Sequence, residues 1–171
     1  ENQPMRALSW YEATAFCAWL NEQLANSLPS GYELRLPSEA EWEAAASFAP
    51  GKMRRDYPWG ANEPTPERAI YDASGLSMPA PVGCCPAGAA ACGALDMAGN
   101  VWEWCASDWK SYPQGSAKEQ KDLTAGDWVV LRGGSYHQNR TSVRCGARDW
   151  DFPDGWFNDY GFRIVVAARD P

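Results

Sequence analysis

The sequence predicts an α+β domain rich in irregular loops, and three observations carry that prediction. Two helix-capping boxes stand early in the chain, two strand-like runs stand late, and between them lies a long stretch crowded with Gly, Pro and Ala. A chain of 171 residues suffices for one sizeable core and is short for two, so a single domain over residues 1–171 is expected.

The first box is Ser9 with Glu12, in which the Ser accepts from the third helical N–H while the Glu reaches back to the cap. Beyond it Trp10, Ala13, Cys17, Leu20 and Leu24 recur at helical spacing and predict a helix that ends before Pro29. The second box is Ser38 with Glu41 in LPSEAEWEAAASFA, entered through Pro37 and closed before Pro50. From Pro50 to Lys121 the pieces PWG, EPTP, SGLSMPAP and CCPAG leave no long periodic run apart from the Trp-rich NVWEW, which predicts long loops. Trp128 to Arg132 and Gly161 to Ala167 then read as strands that flank the segment between them. The 10 Trp supply large buried area where regular structure is sparse.

Charge and composition narrow the partners. A formal net charge of −7, from 15 Lys+Arg against 22 Asp+Glu, disfavours capture of phosphate backbones or anionic membranes, so nucleic acid is not an expected partner. No apolar run reaches the length of a membrane span. The opening ENQPMRALSW has no initiator Met, basic segment or apolar segment. The chain is therefore expected to be the carboxyl-terminal part of a longer, soluble protein, in the cytoplasm unless a targeting signal stands outside this stretch. Of six Cys, four fall in CCPAGAAACGALDMAGNVWEWC, where Cys84, Cys85, Cys92 and Cys105 could form a local disulfide, hold a metal or simply pack. Adjacent Cys84 and Cys85 point apart, which weighs against zinc.

Four pieces in order, LSWYEATAFCAWLN, RLPSEAEWEAAA with YPWG, GALDMAGNVWEW, and LRGGSY with a closing GFRIV, run from Leu8 to Val166. Together they resemble the formylglycine-generating-enzyme/sulfatase-modifying-factor domain, a variant of the C-type lectin fold. The resemblance implies two helices, a small twisted antiparallel sheet and long irregular loops, with the family's amino-terminal strands missing or reduced. Its aerobic oxidases hold copper between two thiolates, the first two residues after GGSY, where this chain has His137 and Gln138; Cys145 in VRCGAR matches a different Cys of the family. One thiolate does not make the soft two-coordinate site that Cu(I) prefers. The sulfoxide synthases of thiohistidine biosynthesis need a His-rich iron site, and the chain has 1 His. Neither copper nor iron is therefore expected, and the domain is expected not to be an enzyme. An oxidase relative acting on protein cysteine and a structural module of a larger effector protein are the alternatives.

The same resemblance implies a structural calcium ion on DMAGNVWE, with carboxylates from Asp96 and Glu103 and carbonyls from Gly99 and Val101. The alternative is that Asp96 caps a turn and Glu103 is a solvated charge. The family's other calcium loop has Asn after Arg-Ala, and Ile70 in that place implies its loss. A lectin-like calcium–glycan site in RDWDFPDGWFND is not expected, because its spacing is wrong. Cys145 has no base paired with it by any sequence cue and reads as a core residue or half a disulfide.

Between Tyr136 and Tyr160 there is no Lys, Glu, Met, Leu or Ile. Replacing adenines in the Asn codons AAC and AAT reaches Tyr, His, Asp, Ser, Thr, Gly and Phe, and one adenine change in the Arg codon AGG gives Trp150 and Trp156. Framed by RGGS and GFRIV, this alphabet resembles the variable region of a diversity-generating retroelement, over about residues 132–163. That resemblance implies a binding surface for a protein or other macromolecule. It would be made of Tyr136, His137, Asn139, Thr141, Ser142, Asp149, Trp150, Asp151, Phe152, Asp154, Gly155, Trp156, Phe157, Asn158, Asp159 and Tyr160 on one solvent-facing side. Arg144, Cys145, Ala147 and Pro153 are expected to point inward or hold the backbone. Such an alphabet suits recognition, since rigid aromatics give contact area at low entropic cost and small polar groups adapt their hydrogen bonds. The alternative is an ordinary core loop, against which the carboxylates of Asp149, Asp151, Asp154 and Asp159 speak.

Overall fold

The computed structural model describes residues 2–51, 54–109 and 127–169. In chain order the elements are α1 (Trp10–Gln23), β1 (Tyr32–Arg35), α2 (Glu39–Ser47), β2 (Trp102–Asp108), β3 (Val129–Arg132), β4 (Arg148–Asp151), β5 (Tyr160–Phe162) and β6 (Val165–Ala168). Both capping boxes are present: Ser9 accepts from Glu12 N–H and Ser38 from Glu41 N–H, and each Glu returns the bond to its cap. Helix α1 stops earlier than the apolar spacing predicts. The Asn21 amide leaves the helical pattern to donate to Leu34 O and accept from Leu34 N–H, tying the helix end to β1. The chain then turns back through Ser27 and Leu28 N–H groups onto Leu24 O.

Four strands form one sheet in the order β4-β3-β2-β5, and β1 pairs with β6 in a second. Three of the four strand pairings are antiparallel as expected, and β2 runs parallel to β5, which makes the sheet mixed. The late run expected as one strand is two, β5 and β6, which serve different sheets. Strands β1, β2 and β4 were not anticipated as strands; β2 carries the Trp-rich run and β4 lies inside the segment expected to be a loop. Among the described residues from Pro50 to Trp109 the regular structure is two short 3-10 turns and strand β2, and the rest of the expected loop, residues 110–121, lies outside the described residues.

A helix on each face explains why β3 reads VVLR and is buried throughout. Val129 and Leu131 face α1 with Trp10, Ala13, Cys17, Trp102, Trp104 and Tyr160. Val130 faces α2 with Trp42, Ala46, Met97, Cys105 and Cys145. The indole N–H groups are satisfied: Trp10 donates to Cys105 O (2.9 Å), Trp104 to Leu8 O (3.1 Å) and Trp42 to a Glu103 carboxylate oxygen (2.6 Å). All six thiols are free, so the local disulfide is corrected as well. Cys105 and Cys145 are fully buried core groups, and burial pushes the Cys145 thiol up to about 12.

Arg132, at the end of β3, is fully buried on the α2 side. Its guanidinium donates to Glu43 (2.6 Å) and to the carbonyls of Cys145 and Ala147 (2.8 Å each), and lies 5.2 Å from the Trp42 ring. Glu43 also meets Arg54, and Glu39 meets both Arg132 and Arg148. This chain of charges fixes the 145–148 backbone to α2 and so sets where the following strand begins.

Candidate functional site

The loop expected to hold calcium is instead a hub of backbone hydrogen bonds. Gly99 N–H donates to Gly133 O (2.7 Å), Tyr136 N–H to Asn100 O (3.0 Å) and Trp102 N–H to Asp159 O (2.8 Å). The loop after β3 and the turn before β5 are thus held by three successive stations on one strand entry. Gly99 is required there, since its φ is +77° and a Cβ would lie 2.1 Å from Ile70 O. Asn100 also has positive φ, and its side-chain amide exchanges two bonds with the Ala80 backbone.

The two loops meet where an imidazole faces a carboxylate. The His137 Nε2 lies 3.5 Å from an Asp159 carboxylate oxygen; the imidazole is half exposed and the carboxylate is buried. Around the pair stand Tyr136, whose ring is edge-on to His137 at 4.9 Å, and Phe157, edge-on to Tyr160 at 5.1 Å. Asn158 anchors this end through its carbonyl, which accepts from Arg6. In the 139–142 loop, Asn139 Oδ1 accepts from the N–H of Thr141 (2.9 Å), closing a tight turn.

The expected single surface is not what the chain builds. His137, Asn139, Thr141, Phe152, Asp154, Trp156, Phe157 and Asn158 are exposed, while Tyr136, Ser142, Asp149, Trp150, Asp151 and Gly155 are half-buried. Asp159 and Tyr160 are buried, Tyr160 in the α1-side core, which corrects their placement on the surface. Arg144 is corrected in the other direction: it is exposed rather than inward. Cys145 and Pro153 are buried as expected. Strand alternation splits the rest, because successive side chains of β4 point to opposite faces. Trp150 joins Trp128 in a stack at 3.9 Å, with Phe152 and Trp109 beside it. Asp149 and Asp151 lie on the other face, towards Tyr160, whose hydroxyl pKa they help to raise once burial has already pushed it up.

Metal ligands are not brought together. The Glu103 carboxylate is gripped by the Arg163 guanidinium (Nη2 to Oε1, 2.6 Å) and by Trp42, and an Asp96 carboxylate oxygen accepts from Gly83 N–H (2.7 Å). A guanidinium thus stands beside Glu103, one of the four groups (Asp96, Gly99, Val101 and Glu103) expected to hold calcium, and the structure does not bear that expectation out. Glu103 is not a solvated charge either, being 5% exposed. Burial raises the Asp96 pKa. The donor set does not fit copper or iron: the Cys145 thiol stays protonated and donates to Ala46 O, and His137 faces a carboxylate. Among the described residues no three His, Cys, Asp or Glu side chains group as a metal site. No helix among them is long and apolar enough to cross a membrane.

Two capped helices clasping a curled mixed sheet, with its loops gathered on one strand entry, make this the formylglycine-generating variant of the C-type lectin fold. A family model described as the sulfatase-modifying factor enzyme 1-like domain matches residues 1–168, and the chain belongs to that family. The hercynine oxygenase of Mycobacterium tuberculosis is 40% identical over 157 residues, which cover 89% of this chain and 34% of that protein. The formylglycine-generating enzyme of Mus musculus is 32% identical over 184 residues, covering 96% of this chain and 44% of its own. Treponema denticola variable protein 1 shares the fold, with a TM-score of 0.75 and 24% identity over 98% of this chain and 72% of its own.

Relatives named as oxygenases and as a generating enzyme overturn the expectation of a non-enzymatic domain. That expectation came from seeking every metal ligand within this chain. The chain spans about a third of the length of the hercynine oxygenases it matches, so a missing ligand here says nothing of the chemistry of the whole.

Proposed function

We propose that this chain is the substrate-recognition part of a larger oxygenase of this family, with His137 and Asp159 as its proton-handling pair and the redox metal held elsewhere. The observation that carries the reading is the buried Asp159 carboxylate directed at the half-exposed imidazole of the chain's 1 His, where two hub-anchored loops meet. The Asp159 backbone is held by its carbonyl accepting from Trp102 N–H, which places the carboxylate to orient the ring, and the ring can then accept a proton from a substrate on the solvent side. Tyr136, Asn139, Phe157 and Asn158 border that approach. Hercynine, named in the relatives, and a peptide cysteine, the substrate type of the oxidase alternative, are the two substrates to try.

Oxygen uptake by the full-length protein, supplied with each substrate in turn, tests this. H137N and D159N are expected to slow turnover by about 100-fold, the contribution of a positioned acid–base group. No uptake with either substrate, or uptake indifferent to both substitutions, overturns the reading.

A second reading is supported by the codon alphabet together with its exposure. His137, Asn139, Thr141, Asp154, Phe157 and Asn158 are reachable from Asn codons and face solvent, whereas Val143, Cys145 and Pro153 are buried. On this reading the same surface is diversified by a retroelement to bind a macromolecule. The flanking DNA would hold a near-copy of the segment for Arg132 to Phe162 differing at adenines, beside a reverse transcriptase gene; its absence refutes the diversification.

A further inference from the structure

A second polar feature lies away from the His137–Asp159 pair and does not depend on the reading above. Arg54, Arg55, Asp56, Thr141, Arg144, Gly146 and Ala147 line a cavity of about 480 Å³ between the segment after α2 and the loop before β4. Its walls are held by backbone bonds, with Arg55 N–H on Ser47 O and Cys145 N–H on Asp56 O, both 2.8 Å. The arginines therefore project from a fixed frame rather than from a free loop.

The charges around this cavity do not balance. Arg54 shares the Glu43 carboxylate with Arg132, and Arg148 shares Glu39 with Arg132. Arg144 meets Asp56 at 3.4 Å, and Arg55 donates to Pro58 O. Among the residues that line the cavity, three guanidinium groups (54, 55 and 144) thus face one carboxylate (56), in a chain of net charge −7. The Arg144–Asp56 pair has side chains 50% and 62% exposed, and pairs so placed are weak, so a better anion displaces the carboxylate. Guanidinium forks match the oxygens of phosphate and carboxylate groups two at a time.

We propose that this cavity is a binding site for a compact dianion, a phosphate monoester or a small dicarboxylate, held between Arg144 on one wall and Arg54 and Arg55 on the other. A dianion offers oxygens to guanidinium groups on both walls, and the volume lies within the usual range for small-molecule sites, about 300–1,000 Å³.

The test is calorimetric titration of the full chain with inorganic phosphate, glycerol 3-phosphate and succinate, in parallel with melting curves. Saturable binding of at least one is expected, and the preferred probe tells phosphate from dicarboxylate. R55A and R144A are each expected to weaken binding by about tenfold or more, as for a lost charge-assisted hydrogen bond. G146E adds a rival carboxylate where there is room, since a Cβ at Gly146 meets only the Arg54 guanidinium, at 3.8 Å. This variant should melt higher than the parent without phosphate and lose the phosphate response. If no probe saturates the parent, or if binding survives R55A, R144A and G146E unchanged, the assignment fails.

Discussion

Replacing Arg132 with Met should cost about 3 kcal/mol of folding stability. Arg132 is fully buried and forks between Glu43 and the carbonyls of Cys145 and Ala147. Removing one member of a buried ion pair typically costs about 3–5 kcal/mol, because the partner charge is left stranded. Here neither carboxylate is stranded completely: Glu43 keeps Arg54 at 2.5 Å, and Glu39 keeps Arg148. The value therefore belongs at the low end of that range, with Met filling most of the volume and offsetting part of the loss of two carbonyl partners. For a domain of this size ~3 kcal/mol corresponds to a fall in Tm of about 6–12 °C. Urea unfolding followed by tryptophan fluorescence measures it, and R132K, which keeps the charge but not the fork, should fall between parent and Met variant. A loss below about 1 kcal/mol for R132M would show that the buried network does not hold the 145–148 segment in place.

Three further outcomes follow from the same structure. Changing Asp154, Trp156 and Asn158 together to Ser should lower stability by no more than about 1 kcal/mol, since all three are exposed, whereas Tyr160→Ala alone should cost about 3 kcal/mol or more; equal effects in denaturant titrations would mean the segment is not divided between surface and core. The Arg35 guanidinium, seconded by the Ser38 cap, holds the Glu41 carboxyl at about 2, below its ordinary 4.5. Its contribution is present in full above pH 4.5 and is lost as pH falls towards 2; because the side chain is 42% exposed it amounts to about 1 kcal/mol, and E41Q should flatten the pH dependence of Tm in that window. Chelation should leave Tm unchanged, because Arg163 already occupies Glu103; a lower Tm with chelator would restore the calcium site.

The helices were legible because their signals are local: a Ser and a Glu three residues apart fix each amino terminus without help from the rest of the chain. Strand β3 was legible through its apolar run. Strands β1 and β4 were not: YELR is too short for its alternation to decide and finds its partner some 130 residues on, while RDWD carries a single apolar residue. The codon alphabet marked the segment that carries the His137 loop, but it could not tell Asp159 and Tyr160 from their exposed neighbours, because burial depends on the parallel pairing with β2. The Arg cavity is not legible in the sequence because its walls lie some ninety residues apart; the backbone bond from Cys145 to Asp56 and the Arg144–Asp56 pair bring them together. The motif DMAGNVWE names the carboxylates of Asp96 and Glu103 but is silent about Arg163, which grips Glu103 from sixty positions away.

The pairing of β1 with β6 joins Tyr32 to Ala168 and Arg35 to Val165, so the first strand waits through 130 or more residues of synthesis for its partner. Contacts of such sequence separation form late, because loop closure must precede any gain from pairing. On the ribosome, α1 and β1 would emerge with an unpaired edge and with Leu34 and Trp10 uncovered. A nascent or truncated chain that stops before Val165 is therefore a target for chaperones and proteases rather than a smaller version of the domain.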